Sequence, residues 1–300
     1  MKGIVNVLKP TGMTSFDIIA ICRRIFGIKK IGHAGTLDPG ASGVLTVCLG
    51  RATKVVPFLT ETKKKYRAEI TFGVETTTLD AFGEVTNKVE DFEIREEDLL
   101  EVLEGFQGDI EQIPPMYSAI KYKGKPLYKL ARQGKKIKRN PRKVRIFSLD
   151  LLQFNGNKAL VDVECSKGTY IRTLCSDIGK SLGVGAYMSF LVRTQVGEFS
   201  LEKSLTLEEL EQLSKEDRIE EAISNLDKGL FHLPAIKVKS AYDIPLTHGV
   251  FIKEEGVEDD IDADLVDGKT FRIYNSKEEF IAVYSWSEKK MLFKPERVFV

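Results

Sequence analysis

Residues 32–45 read GHAGTLDPGASGVL, and only His33 and Asp38 in this stretch are ionisable. Gly32, Gly35, Gly40, Gly43 and Pro39 surround them. Such residues mark a loop whose backbone can turn sharply or approach a ligand closely. Downstream, Val44 to Leu49 is apolar except for Thr46, which predicts a buried strand. Upstream, Ile4 to Leu8 predicts a short strand closed by Lys9-Pro10-Thr11-Gly12. Thr14 or Ser15 then caps a helix that runs to Phe26, with Ile18, Ile19, Cys22 and Ile25 inward and Gly27 ending it. Asp38 is therefore a lone carboxylate in a loop that feeds a core strand, a rigid mount for a reactive group. Taken alone, the pattern is compatible with a turn residue, a metal ligand or a nucleophile.

Composition narrows the choice. The chain has 300 residues, 42% hydrophobic and 30% charged, as expected of a soluble protein with one large domain and a small one. MKGIVNVLKPTG does not read as a signal peptide, and the apolar run Val44–Leu49 is too short to span a bilayer. A cytoplasmic protein is expected. Cys22, Cys48, Cys165 and Cys175 form no CxxC pair, and the three histidines lie far apart, so reduced structural thiols and no metal site are expected. Gly179-Lys180-Ser181 resembles the end of a phosphate-binding loop, but Leu174 stands where that motif needs glycine, and the segment reads as mid-helix. GxGxxG, GxSxG and HExxH are absent from the sequence. No nucleotide cofactor is expected.

Charge is distributed unevenly. The formal net charge is +1, yet residues 112–149 hold twelve Lys or Arg and no acid. The preceding residues 90–111 hold ten acids and one base, and predict a solvated amphipathic helix with Leu99, Leu100, Val102, Leu103 and Phe106 on its apolar face. In the basic stretch Tyr122 and Tyr128 alternate with the cations, and Tyr117 lies just before them. Cations neutralise phosphates and aromatics stack on unpaired bases, so an RNA partner fits better than duplex DNA. A flexible solvated loop is the plainer alternative.

Two more segments carry candidates. In KYRAEITF, Tyr66, Ala68, Ile70 and Phe72 alternate with polar residues, which puts Tyr66 on the inward face of a strand. KALVDVECSKGTYIRTLCSDIGKSLG reads as strand, turn and helix, with Arg172 near the helix start. A cation there opposes the helix dipole and calls for an anionic partner. An acidic helical stretch, residues 205–227, precedes a boundary near residues 229–236. Beyond it short β-like pieces follow: Phe271–Tyr274, Phe280–Ser285, Met291–Phe293 and Arg297–Val300.

NVLKPTGMTS, GHAGTLDPGASGVL, KKYRAEITFG with TTTLDAFGEV, SKGTYIRTL and FLVRTQVGEF occur in that order. Together they resemble the TruB family of tRNA pseudouridine synthases, over the whole chain. The resemblance implies an α+β pseudouridine synthase fold: a mixed central sheet with flanking helices over residues 1–230, in which 112–149 is a basic RNA-clamping insertion. Residues 231–300 are similar to the small PUA domain, a β-barrel-like RNA-binding module. The implied reaction turns uridine 55 in the T loop of tRNA into its C5-linked isomer, with no cofactor, metal or nucleotide consumed. The implied partner is the T stem-loop, bound by a stand-alone monomer that acts away from membranes.

Roles follow from the same resemblance. Asp38 matches the catalytic aspartate, attacking either C1′ or C6. Arg172 matches the arginine that pairs with it and keeps it ionised. Tyr66 matches the tyrosine that stacks on the uracil, and its hydroxyl is a candidate for removing the C5 proton. His33 matches a histidine that holds the opened loop once the base has flipped out. Leu191 would line the uracil pocket and Tyr170 would edge it. Lys9 would support the Asp38 loop or meet a phosphate, and Lys64 would meet another phosphate. Val192 departs from the family pattern, where arginine is frequent. Two competing functions stay open: a non-catalytic RNA-binding or RNA-folding protein, and a hydrolase that frees uracil.

Overall fold

In the computed structural model, which describes residues 2–258 and 264–299, the apolar run after the Asp38 loop forms the strand Ser42–Leu49, buried from Gly43 onward. One of its edges pairs antiparallel with Gly3–Lys9, Lys9 facing Gly43 and Gly3 facing Leu49. Its other edge takes Ile31–Ala34 antiparallel. At Ser42 and Gly43 that edge also meets Val192 and Arg193 of the strand Ala186–Val196, in parallel. This parallel step joins two antiparallel halves into one mixed sheet. Its order is Ile223–Ser224, Gly3–Lys9, Ser42–Leu49, Ala186–Val196, Lys64–Phe72, Lys158–Cys165, Arg142–Phe154 and Gly108–Gln112. The Asp38 loop enters the sheet at the join.

Gly43 makes the join possible. Its φ is 111°, and a Cβ there would lie 2.2 Å from the Arg193 carbonyl oxygen. Gly43→Ala therefore costs both backbone strain and strand separation, about 3 kcal/mol or more. Gly27, with φ 63° and nothing within 4 Å of an added Cβ, is the control. Gly27→Ala costs about 1 kcal/mol. Urea midpoints of the two variants should differ accordingly, and equal midpoints would refute the close approach.

Helices cover the sheet where the apolar spacing directs them. Thr14 caps the helix Ser15–Phe26 in a capping box with Asp17, and Gly27 ends it in the left-handed conformation. This helix and Leu207–Lys215 pack on Val5, Val7, Leu45 and Val47. Helices Glu96–Gly105 and Ile171–Ser181 pack on the other half, where Ala68, Ile70 and Phe72 are buried and Tyr66 joins them. Leu99 and Leu103 face that core, but Leu100, expected on the same face, is 47% exposed. One residue turns a helix by about 100°, so Leu100 lies off the stripe that Leu99 and Leu103 define. The acidic stretch at 205–227 is helical only over Leu207–Lys215, followed by the short 3-10 turn Ile219–Ala222.

The basic stretch is not an uninterrupted loop. It forms the two-stranded ladder Lys121–Tyr122 with Lys125–Pro126, then the helix Leu127–Ala131, and from Arg142 it enters the main sheet. A second, five-stranded sheet begins at Ala235, in the order Ala235–Lys237, Thr270–Tyr274, Phe280–Ser287, Leu292–Val298 and Ile252–Lys253. Its own core includes Phe271, Tyr284, Trp286 and Phe293. Val283 and Phe299 instead join Ile4, Leu59 and Leu230 of the larger unit. Met291 caps the turn at φ 50°, so the last strand starts at Leu292 and not at Met291. The separate piece expected at Arg297–Val300 is the end of this same strand, which runs to Val298, and Val300 lies outside the described residues. All four cysteines are buried free thiols, each pushed up to about 12 mainly by burial. Among the described residues no helix is long and apolar enough to cross a membrane.

Candidate active site

The Asp38 loop is fastened from below by the segment that begins the chain. Lys9 is fully buried, and its ammonium donates to the carbonyls of Ala41 at 2.6 Å and Pro10 at 2.8 Å, with that of Pro39 at 3.5 Å. The Gly12 amide donates to the Pro39 carbonyl at 2.8 Å. Ser15, also fully buried, accepts from the Leu37 amide at 3.0 Å and donates to the Leu37 carbonyl at 3.2 Å. Lys9, Gly12 and Ser15 thus hold the residues on both sides of Asp38 and leave its carboxylate free to face outward. Of the two roles expected for Lys9, the geometry supplies loop support. Desolvation lowers its pKa to about 8. Lys9→Met leaves the Ala41 and Pro10 carbonyls unpaired, which costs about 1–3 kcal/mol, and lets the loop drift. Thermal unfolding and turnover should both fall, and a variant of wild-type activity would show that the loop holds itself.

Arg172 supplies the partner that its position requires. It lies in the first turn of the helix Ile171–Ser181 and is 4% exposed. Its Nε is 2.8 Å from Asp38 Oδ2. Nη1 donates to the Thr78 carbonyl and Nη2 to the Tyr117 carbonyl, both at 2.9 Å. Nη1 also lies 3.5 Å from Asp80 Oδ2. Asp80 is itself fixed, because its Oδ1 accepts from the Thr78 hydroxyl and from the Phe82 amide. The guanidinium therefore spans two carboxylates and two backbone carbonyls, with its orientation set from three segments of chain. Asp38 keeps 43% side-chain exposure, yet burial raises its pKa, opposed by the Arg172 charge and reinforced by Asp80.

Apolar groups complete the floor. Leu37, Leu191 and Tyr66 lie in one cluster, with Leu191 opposite Ala68 and Arg193 opposite Tyr66 on neighbouring strands. Burial raises the Tyr66 phenol above its usual pKa, and the Arg193 guanidinium opposes that shift. Arg193 is 1% exposed and donates to the carbonyls of Val44 at 2.8 Å and Gly35 at 3.0 Å. It ties the Asp38 loop to the strand that carries Leu191. Tyr170 is fixed through its backbone: its amide donates to Gln112 Oε1 at 3.0 Å. His33 stands at the loop's entry, its Nδ1 buried without a hydrogen-bond partner and its pKa lowered by burial and then by Arg193. Lys64 is turned inward, 2.6 Å from the carbonyls of Thr60 and Thr62. In this buried position, which lowers its pKa to about 8, it fastens the backbone at Thr60 and Thr62.

Asp80, Arg193 and Gln112 were not singled out by sequence reasoning, and Ser15 was named only as a candidate helix cap. Asp80 and Arg193 lie inside quoted motifs, TTTLDAFGEV and FLVRT, but nothing local to either shows which distant group it meets.

A carboxylate paired with a buried arginine, over an apolar floor that holds a tyrosine, suits nucleophilic attack on a planar base or its sugar. Comparison with known proteins identifies the family. The profile of the TruB family pseudouridylate synthase N-terminal domain matches residues 23–171, and that of the tRNA pseudouridylate synthase B C-terminal domain matches residues 172–231. The tRNA pseudouridine synthase B of Pelotomaculum thermopropionicum is 44% identical, over 98% of this chain and 96% of the relative. That of Symbiobacterium thermophilum is 53% identical over 70% of this chain and 71% of its own. Among solved structures, a Cbf5–Nop10–Gar1 complex superposes with a TM-score of 0.80 at 30% identity, covering 99% of this chain and 85% of that one. An H/ACA ribonucleoprotein bound to a substrate RNA containing 2′-deoxyuridine gives a TM-score of 0.79 at 29% identity over 99% of this chain. With identity of this order sustained from end to end, the chain belongs to the TruB family of pseudouridylate synthases.

Proposed function

We propose that this protein isomerises uridine 55 in the T loop of tRNA to pseudouridine, with Asp38 as the nucleophile. The observation that carries the reading is the Asp38–Arg172 pair at 2.8 Å; the Asp38 charge also acts on Tyr66, which shares a core cluster with Leu37 and Leu191. The named relatives are tRNA pseudouridine synthases, which supports tRNA as the substrate. The target base is flipped out of the T loop, at a cost of roughly a few kcal/mol, and lies against Tyr66. Arg172 keeps Asp38 ionised against desolvation while it attacks C1′ or C6. The glycosidic bond breaks, the uracil turns, C5 bonds to C1′, the bond formed to Asp38 breaks, and the C5 proton leaves to a base while N1 takes up a proton. No atom is gained or lost between substrate and product. The basic segment and the residues from 231 onward grip the stem, and the enzyme works as a monomer in the cytoplasm.

The test is a minimal T stem-loop RNA tritiated at C5 of the target uridine, mixed with purified protein and nothing else. Tritium release without free uracil is the expected result. Free uracil would identify a hydrolase. Tight binding without any release would identify an RNA-binding protein and overturn the reading.

A further inference from the structure

Two phenylalanines stand on the surface where the core does not need them. Phe16 is 73% exposed and Phe82 78%, more than any other aromatic side chain among the described residues. Phe16 follows the cap of helix Ser15–Phe26, whose buried side is Ser15, Ile18, Ile19, Cys22 and Phe26. It points off that side, and its ring meets His33 edge-on, 5.5 Å between centroids at 79°. The buried Nδ1 of the same His33 has no partner. Phe82 reaches the Asp38 loop from the other direction. A Cβ on Gly40 would lie 2.0 Å from the Phe82 ring, so the ring occupies the space that a side chain there would fill. The Phe82 amide is held by Asp80, which faces Arg172. One phenyl thus touches the loop before Asp38, at His33, and the other after it, at Gly40.

An exposed phenyl ring gains nothing from water. Two such rings on either side of one carboxylate call for a flat, unpaired ligand, and every nucleobase offers a π face. The surrounding charge favours RNA as that ligand. The twelve cations of residues 112–149 have no acid among them in the sequence, and this segment reaches the site through the Tyr117 carbonyl that Arg172 binds. We propose that Phe16 and Phe82 are stacking platforms for unpaired RNA bases, one on each side of the nucleotide that enters at Asp38. The proposal rests on the proposed function for the identity of that RNA.

The experiment measures binding of the T stem-loop with 2-aminopurine replacing, in turn, each base next to the target uridine. Wild type, Phe16→Ala, Phe82→Ala and the corresponding tryptophan variants are compared over a range of salt. Each alanine variant should weaken binding by about tenfold and abolish the fluorescence quenching at one of the two probe positions. Tryptophan should restore both. The slope of log Kd against log salt should stay at the wild-type value, because no phosphate contact is lost. Melting temperatures should not move, since neither ring is in the core. Affinities within about twofold of wild type, or a reduced salt slope, overturn the proposal; the first result would leave the rings to a protein partner. If the wild type binds and releases tritium while the variants bind equally well, stacking fails and the isomerase reading stands. If the wild type does not bind the RNA, both fail.

Discussion

Asp38→Asn abolishes tritium release, lowering turnover by about 10⁴-fold or more, the scale seen when a covalent nucleophile is removed. The amide keeps the shape of the carboxylate and its place beside Arg172, but cannot attack carbon as an anion. The fold should hardly register the change. Asp38 keeps 43% side-chain exposure, and its raised pKa means that the charged form is costly in the folded state. Asn removes that cost. Arg172 loses one partner but retains Asp80 and the carbonyls of Thr78 and Tyr117. These effects oppose, so stability should stay within about 1 kcal/mol. RNA binding should persist. Turnover within tenfold of wild type would show that Asp38 is a loop residue and that another group performs the attack.

Local signals in the sequence located the parts of this site better than they located its connections. Alternation in KYRAEITF put Tyr66 beside Ala68, Ile70 and Phe72, because a strand's period of two is fixed by backbone geometry. The Thr14 cap and Gly27 delimited their helix, because both satisfy groups within the same turn or two. The placement of Arg172 against its helix dipole announced an anion, and Asp38 is there at 2.8 Å. What stayed hidden is non-local. The parallel join of Arg193 to Gly43 brings together residues remote in sequence, and neither strand's pattern encodes its neighbour. The burial of Lys9, expected to support the loop or meet a phosphate, and of Lys64, expected to meet a phosphate, was not legible, since lysine is rarely buried. They are buried because each finds backbone carbonyls at 2.6 Å. Those carbonyls belong to turns whose path only the tertiary fold sets.

The second carboxylate on Arg172 gives a pair of variants with opposite signs. Asp38 must be ionised to attack, so activity falls as pH drops through its pKa, which burial holds above the ordinary carboxylate range. Arg172 pulls that pKa down and Asp80 pushes it up. Arg172→Met should therefore move the acid limb of kcat/KM to higher pH, and Asp80→Asn should move it to lower pH. At neutral pH both variants lose activity, but for different reasons. Arg172→Met removes the pairing charge and strands the Thr78 and Tyr117 carbonyls. The loss should be about 10²-fold, at the low end for a broken buried pair, because water still reaches Asp38. Arg172→Lys keeps the charge and should recover part of that loss, though a single ammonium cannot reproduce the fork that spans both carboxylates. Asp80→Asn leaves Arg172 paired to Asp38 but less firmly aimed, for a loss of about tenfold. The sign of linkage is the same for stability. A carboxyl with a raised folded-state pKa contributes stability below its unfolded value of 3.8, and loses it as pH rises through the folded value. Replacing Asp80 should shrink that window and replacing Arg172 should widen it. Acid limbs that shift in the same direction in both variants would mean that the group titrating in the profile is not Asp38, and would break the link between this ion pair and the reaction.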